Sequence, residues 1–195
     1  MTRTLTGLDS KPTIKEVMAD SKISEILELN SGDLEDLCLA TEDAIRDGIG
    51  FNWTNPPNRD VLESYWRGVL VVPERMLFGG RLDGTLVSAI QLIKPPPSRE
   101  TTRFNATIGY HFVAPWARGH GLAKGLLLAA EEEAKRQGFS VLSLNVRETQ
   151  DAAIKLYHES GYIRWGMMPY YEMVNDTMIA GHYFYKNIKP IMKIV

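Results

Sequence analysis

With 195 residues, 44% hydrophobic and 24% charged, the chain is long enough to bury one sizeable core and too short for two full domains. Its 22 basic and 24 acidic residues are interspersed and sum to a formal charge of −2, which excludes a general electrostatic pull toward nucleic acid or an anionic membrane. The single cysteine, Cys38, excludes an intrachain disulfide framework, and with no leader pattern and no apolar run near the ~18 residues of a membrane span, the expected location is the cytoplasm.

Residues 1–22 are polar apart from Ile14, Val17 and Met18 and read as an N-terminal extension, a loose arm or one short helix, ahead of a single domain over 23–195. Ile23 to Leu29 alternates as a first strand, ended by Asn30, Ser31 and Gly32. Leu34, Leu37, Cys38, Thr41, Ala44 and Ile45 then recur at helical spacing behind Asp33, which is placed as the N-cap. Cys38 lies among these apolar positions without a basic neighbour, so it reads as packing and not as a nucleophile. The following loop carries Phe51 and Trp53, and a second helix runs through Val61, Leu62, Tyr65, Trp66 and Val69. Strands at Met76–Phe78 and Thr85–Leu92 flank Asp83-Gly84, a hairpin turn signal.

The most informative stretch follows. Phe104 to Val113 alternates, with Phe104, Ala106, Ile108, Tyr110 and Phe112 on one face and Thr107, Gly109, His111 and Val113 on the other. Pro115 ends the strand, and Arg118-Gly119-His120-Gly121 leads into a helix from about Gly121. A helix starting on glycines presents unpaired N–H groups that a bulky anion can approach, and Arg118 and Lys124 add positive charge there. The same spacing also suits an ordinary strand-to-helix turn. A P-loop is excluded because no Gly-Lys-Ser/Thr closes the run, and a dinucleotide fingerprint fails because Gly125 falls one place late. Glu131, Glu132 and Glu133 read as a solvated face, the first two paired with Lys135 and Arg136 four residues on, and not as metal ligands. Leu142, Leu144 and Val146 mark a fifth strand parallel to the fourth; Thr149 is placed as the cap of a fourth helix ending at Gly161. Tyr162–Met167 and Ile179–Lys186 close the chain as paired strands.

Arg118, Gly121 and Ala123 match Arg/Gln-x-x-Gly-x-Gly/Ala, and this run resembles the acyl-coenzyme A loop of the GNAT superfamily of N-acetyltransferases. Val113-Ala114-Pro115 and Leu156-Tyr157 with Gly161-Tyr162 are similar to two further signatures of that superfamily, so the resemblance spans about Ile23 to Lys186. It implies an α+β, three-layer fold: a mixed, mostly antiparallel sheet of about seven strands with one central parallel pair, and about four helices. It implies acetyl-CoA as cofactor, with the pyrophosphate on Arg118, Gly119, His120, Gly121, Leu122, Ala123 and Lys124 and the pantetheine arm near Phe112 and Val113. The Val113 N–H is the expected oxyanion donor. Tyr157 matches the tyrosine that protonates the leaving thiolate.

Two departures from the family pattern stand out. The fourth strand carries no carboxylate, which leaves His111 as the candidate base, and Gln150 stands where an asparagine is frequent, with Asn145 as a second polar candidate for the cofactor. Phe51 and Trp53, from the loop that commonly lines the acceptor site, and Tyr170 and Tyr171 are candidate substrate contacts; each reads equally as packing. The tail around Met168-Pro169-Tyr170-Tyr171 is similar to small-molecule acetyltransferases of the tabtoxin-resistance type, which implies a small amine acceptor. A peptide acceptor, a non-catalytic acyl-CoA sensor and a homodimeric assembly stay open.

Overall fold

The computed structural model describes residues 19–48 and 51–190. The expected arm through Ile14, Val17 and Met18 lies outside them. Among the described residues the order is β1 (Ser21–Glu25), α1 (Ser31–Arg46), α2 (Arg59–Val71), β2 (Arg75–Leu82), β3 (Thr85–Ile93), β4 (Asn105–Val113), α3 (Leu122–Arg136), β5 (Val141–Arg147), α4 (Asp151–Glu159), β6 (Ile163–Val174) and β7 (Thr177–Asn187). The strands form one seven-stranded sheet ordered β1-β2-β3-β4-β5-β7-β6, in which β4 and β5 are the parallel pair and every other pairing is antiparallel. This is the α+β arrangement that the motifs imply.

Both faces of the sheet are covered, and the alternation of β2 shows it: Leu77 joins one core cluster and its neighbour Phe78 the other. On one side α1 and α2 bring Leu37, Leu62 and the wholly buried Trp66, whose indole N–H donates to Thr41 Oγ1 at 3.1 Å. The Thr41 hydroxyl donates in turn to Leu37 O at 2.6 Å, so a tryptophan polar end is satisfied inside the core. On the other side α3 lays Leu126, Leu127, Ala130 and Ala134 against Phe78, Ile90 and Ile108.

Several local expectations are corrected. The N-cap of α1 is Asn30, whose Oδ1 accepts the Asp33 N–H at 2.9 Å; the Asp33 carboxylate is taken by Arg81 at 2.6 Å. The first strand begins at Ser21 and ends by Glu25, and α4 starts after Gln150 with no side-chain cap from Thr149. Glu131 is not on a solvated face. It falls on the same helical stripe as Leu127, Ala130 and Ala134, is only 2% exposed, and is met there by the Lys186 ammonium of β7 at 2.6 Å. The surface pairs on α3 are Lys135 with Glu132 and Arg136 with Glu133, each three residues apart.

Candidate active site

The site begins with a fault in β4. Its register against β3 shifts between Ala89 and Gln91, so Tyr110 and His111 together oppose Ile90, and Tyr110 is held at φ 50°. A left-handed non-glycine residue costs about 1–2 kcal/mol, and the extra residue of a bulge resets the two-residue period. The regular alternation expected for the strand is therefore wrong beyond Gly109. Ala106 and Ile108 lie in the core under α3, whereas Tyr110 and Phe112 turn to the Phe51 ring at 5.9 and 5.2 Å, and His111 turns toward α4.

The second fault is the parting of the parallel pair. β4 and β5 are paired only over Asn105–Thr107 with Val141–Ser143, and beyond that they diverge. Ala114 N–H donates to Val87 O of β3 at 2.9 Å. By strand alternation the N–H of Val113 points the other way, into the gap, where the oxyanion reading requires it.

A cleft of about 610 Å³ opens at this gap, walled by the β4 end, the start of α3 and the start of α4. Gly119 and Gly121 have φ of 87° and 75°, and a Cβ on either would meet nothing within 4 Å, so the turn is left-handed over open space. From Gly119 to Lys124 six successive backbone N–H groups have no acceptor among the described residues, and α3 makes its first helical bond only at Gly125 N–H to Gly121 O, 2.9 Å. Arg118 is held at the mouth by Asp47, 2.6 Å away at the end of α1. Such a run of unpaired donors at a helix N-terminus is a cradle for a pyrophosphate.

A smaller chamber of about 80 Å³ adjoins the cleft and shares His111 and Gln150 with it. His111 Nε2 lies 3.0 Å from Ala123 O and Nδ1 lies 3.1 Å from Tyr157 Oη. A carbonyl can only accept, so Nε2 carries the proton, Nδ1 is the lone-pair nitrogen, and the Tyr157 hydroxyl donates to it. Burial pushes the His111 pKa down to about 4 against a small opposing effect of the Ala123 carbonyl. Burial likewise holds the Tyr157 phenol above its ordinary range, so it stays protonated. On the opposite wall stand Tyr171 and Glu172 of β6 and Arg147 at the end of β5. Asn145 donates to Tyr171 Oη at 2.6 Å, and burial, with the nearby Glu172 charge, pushes the Tyr171 phenol up to about 12.

Of the residues singled out from the sequence, Phe112, Val113, Arg118, Gly119, Gly121 to Lys124 and Gln150 line the cleft, and Tyr157, His111 and Tyr171 line the chamber. Others are displaced. The His120 side chain turns its Nδ1 to Ala117 O at 3.3 Å and does not line the cleft, which leaves its backbone N–H in the cradle, and Asn145 lines the chamber beside Tyr171 and not the cleft. Phe51 is 2% exposed and buried among Trp66, Tyr110 and Phe112, so its ring is core and not substrate wall. Trp53 packs edge-on against Tyr65 beside it. Tyr170 is 73% exposed and reaches neither cavity. As a base, His111 is poorly placed, because both nitrogens are engaged and burial disfavours the imidazolium. Arg147 and Glu172 were missed. A lone arginine at a strand end and a glutamate on the last hairpin carry no signal until β5 and β6 meet through β7.

The acetyltransferase (GNAT) family model matches residues 39–162, well over half of the chain and including the β4 bulge, the glycine turn and Tyr157. The protein belongs to the GNAT acetyltransferase family. It is 54% identical over 133 residues to an uncharacterized N-acetyltransferase from the hisH-hisA intergenic region of Azospirillum brasilense, covering 68% of this chain and 79% of that one. Its fold is similar to that of an N-acetyltransferase from Staphylococcus aureus Mu50, at a TM-score of 0.75 and 18% identity over 87% of this chain and 99% of that one. It is also similar to yncA of Salmonella typhimurium, solved with its cofactor acetyl-CoA, at a TM-score of 0.72 and 15% identity over 89% and 96% of the two chains. As a GNAT acetyltransferase it is an acyltransferase whose donor is acetyl-CoA. The residues present fit that group: the unpaired N–H run and the open left-handed glycines suit its pyrophosphate, and the splayed strands offer backbone donors to its arm.

Proposed function

We propose that this GNAT acetyltransferase transfers an acetyl group to the primary amine of a small molecule, such as an amino acid, a polyamine or an antibiotic-like amine, in a ternary complex. The observation that carries the reading is the enclosed chamber of about 80 Å³ beside the Tyr157 hydroxyl, which has room for a narrow amine head and little more. Bound acetyl-CoA supplies an acetyl group activated as a thioester. The rest falls to the chain. The N–H groups of Gly119 to Lys124 bind the pyrophosphate with Arg118 and Lys124, Gln150, whose Nε2 donates to Gly48 O at 2.8 Å, keeps its amide oxygen for a further polar contact at the start of α4, and the Val113 N–H meets the carbonyl oxygen as it gains charge.

Tyr157 Oη holds the proton destined for the departing sulfur, and its raised pKa keeps that proton in place through neutral pH. His111 Nδ1 accepts from this hydroxyl and sets its direction, so His111 positions Tyr157 instead of stripping the amine. Holding the two reactants side by side in the gap supplies much of the rate; the amine attacks in its neutral form and the proton it then sheds restores the Tyr157 hydroxyl, so a strong dedicated base is not required.

A peptide acceptor is a second reading, favoured by an open groove of about 570 Å³ along β5 and β7, walled by Trp165 and Tyr183 and touching the chamber at Asn145. The exposed Trp165, Met167, Met168 and Met173 of β6 support a homodimer, and the single unbridged thiol of Cys38 is in keeping with a cytoplasmic enzyme. We take residues 23–195 as the catalytic domain and 1–22 as an extension to it. Thiol release from acetyl-CoA against a panel of small primary amines and short peptides decides among these. Turnover confined to the peptides would overturn the small-molecule reading.

A further inference from the structure

Arg147 is a buried arginine for which neither the cofactor cleft nor the proton chemistry has a use. It stands at the end of β5 with its side chain 7% exposed, and its guanidinium joins two elements distant in sequence. Nη2 donates to Phe51 O at 3.0 Å and Nη1 to Gly48 O at 3.4 Å, both on the connection from α1 to α2, while Nε donates to the Glu172 carboxylate of β6. Only the planar fork of an arginine can reach three acceptors in this way.

β6 forms one side of the chamber, and the α1–α2 connection backs the β4 side through the Phe51 ring. Phe51 packs on Tyr110, which lines that β4 side, and on Phe112, which lines the cofactor cleft. Glu172 and Tyr171 form the β6 side, and they hang on a stretch where β6 slips its register against β7 between Met168 and Glu172. The slip lets the Tyr171 ring lie flat over Gly181, where any Cβ would collide with it. A strand bulged like this lacks part of its ladder, so side-chain ties take over the work of fixing it. Asn145 supplies one tie at Tyr171 and Arg147 the other at Glu172. Arg147 is buried and Glu172 half-buried, and an ion pair so withdrawn from water is seldom needed for stability alone, because apolar residues of similar volume often serve as well.

We propose that Arg147 and Glu172 form a clamp between the α1–α2 connection and β6 that sets the width of the chamber, and so are positioning residues for the acceptor amine. This rests on the reading of the chamber as the acceptor site. Neither residue lines the cofactor cleft, whereas both line the chamber, so the clamp bears first on the amine.

The full chain is tested as R147K, which keeps the charge and loses the fork, as E172Q, and as the double variant R147M/E172M, which leaves no buried charge unpaired. With the best amine of the panel, the KM for the amine rises about 10-fold in each, with kcat and the acetyl-CoA Kd within about twofold of wild type. Hydrogen exchange at the amides of residues 51–55 and 171–172 quickens in all three while the melting temperature of the double variant stays close to that of wild type. An unchanged amine KM, or an acetyl-CoA Kd that moves in its place, overturns the clamp. Should wild type acetylate no amine in the panel, the acceptor reading itself fails, and the exchange rates decide the clamp alone: unchanged protection at both segments refutes it.

Discussion

His111 makes the strongest quantitative demand on this structure. Its imidazole is part-buried between cleft and chamber, donates from Nε2 to Ala123 O, accepts at Nδ1 from Tyr157, and is held at a pKa of about 4 against an ordinary 6.5. A folded pKa below the unfolded one means that between these two values the unfolded chain carries a proton that the folded chain refuses. Stability from this group is therefore complete above about pH 6.5 and is lost as the pH falls toward 4. Two and a half pH units at 1.36 kcal/mol each give a full effect of about 3 kcal/mol, of which about 2.5 kcal/mol is lost between about pH 7 and pH 4.5. The matched control is His111→Gln, whose amide can serve both Ala123 O and the Tyr157 hydroxyl without titrating. Urea unfolding at a series of pH values should show the wild type losing about 2.5 kcal/mol more than the variant over that range. Parallel pH profiles for the two proteins would refute the neutral, Nε2-protonated imidazole and with it the orientation of Tyr157.

The cofactor cradle predicts that Arg118→Ala weakens acetyl-CoA binding about 10- to 100-fold by calorimetry, the loss of a charge-assisted bond worth about 1.5–3 kcal/mol, and that the deficit shrinks as salt is raised. Gly121→Asp places both a left-handed non-glycine residue and a carboxylate in the same nest, so binding should fall below detection while the far-ultraviolet spectrum stays native. Tyr157→Phe should lower kcat by on the order of 10²-fold with little change in acetyl-CoA affinity, and full activity in this variant at every pH would end the acid role. Trp66→Ala, which empties the centre of the α1/α2 core and orphans the bond to Thr41, should cost about 3–5 kcal/mol in urea unfolding.

The fold was readable wherever one local rule governed. Asp83-Gly84 makes its hairpin with φ of 49° and 88°, the helical apolar stripes of α1 and α2 reach the core, and the Arg118 to Ala123 turn opens a helix as its glycines require. It failed where tertiary partners set the outcome. Glu131 looked like one of three surface glutamates because its counter-ion, Lys186, lies 55 positions away. The face of His111 was misjudged because a bulge has no reliable signature in a strand of ordinary residues, and one extra residue reverses every side chain after it. The chamber was the least legible part, since Glu172, Arg147 and Tyr171 meet only through the sheet order that puts β7 between β5 and β6.

If a proton on Tyr157 and an amine in the adjoining chamber meet at the end of the splayed strands, thiol release and amine acetylation are one event. The most direct measurement is thiol release from acetyl-CoA by the wild-type enzyme, with and without each amine of the panel, read beside the mass of the amine. Release should depend on the amine and match its acetylation one for one. Tight binding of acetyl-CoA with no thiol released for any amine or peptide would contradict it and leave a protein that holds the donor without using it.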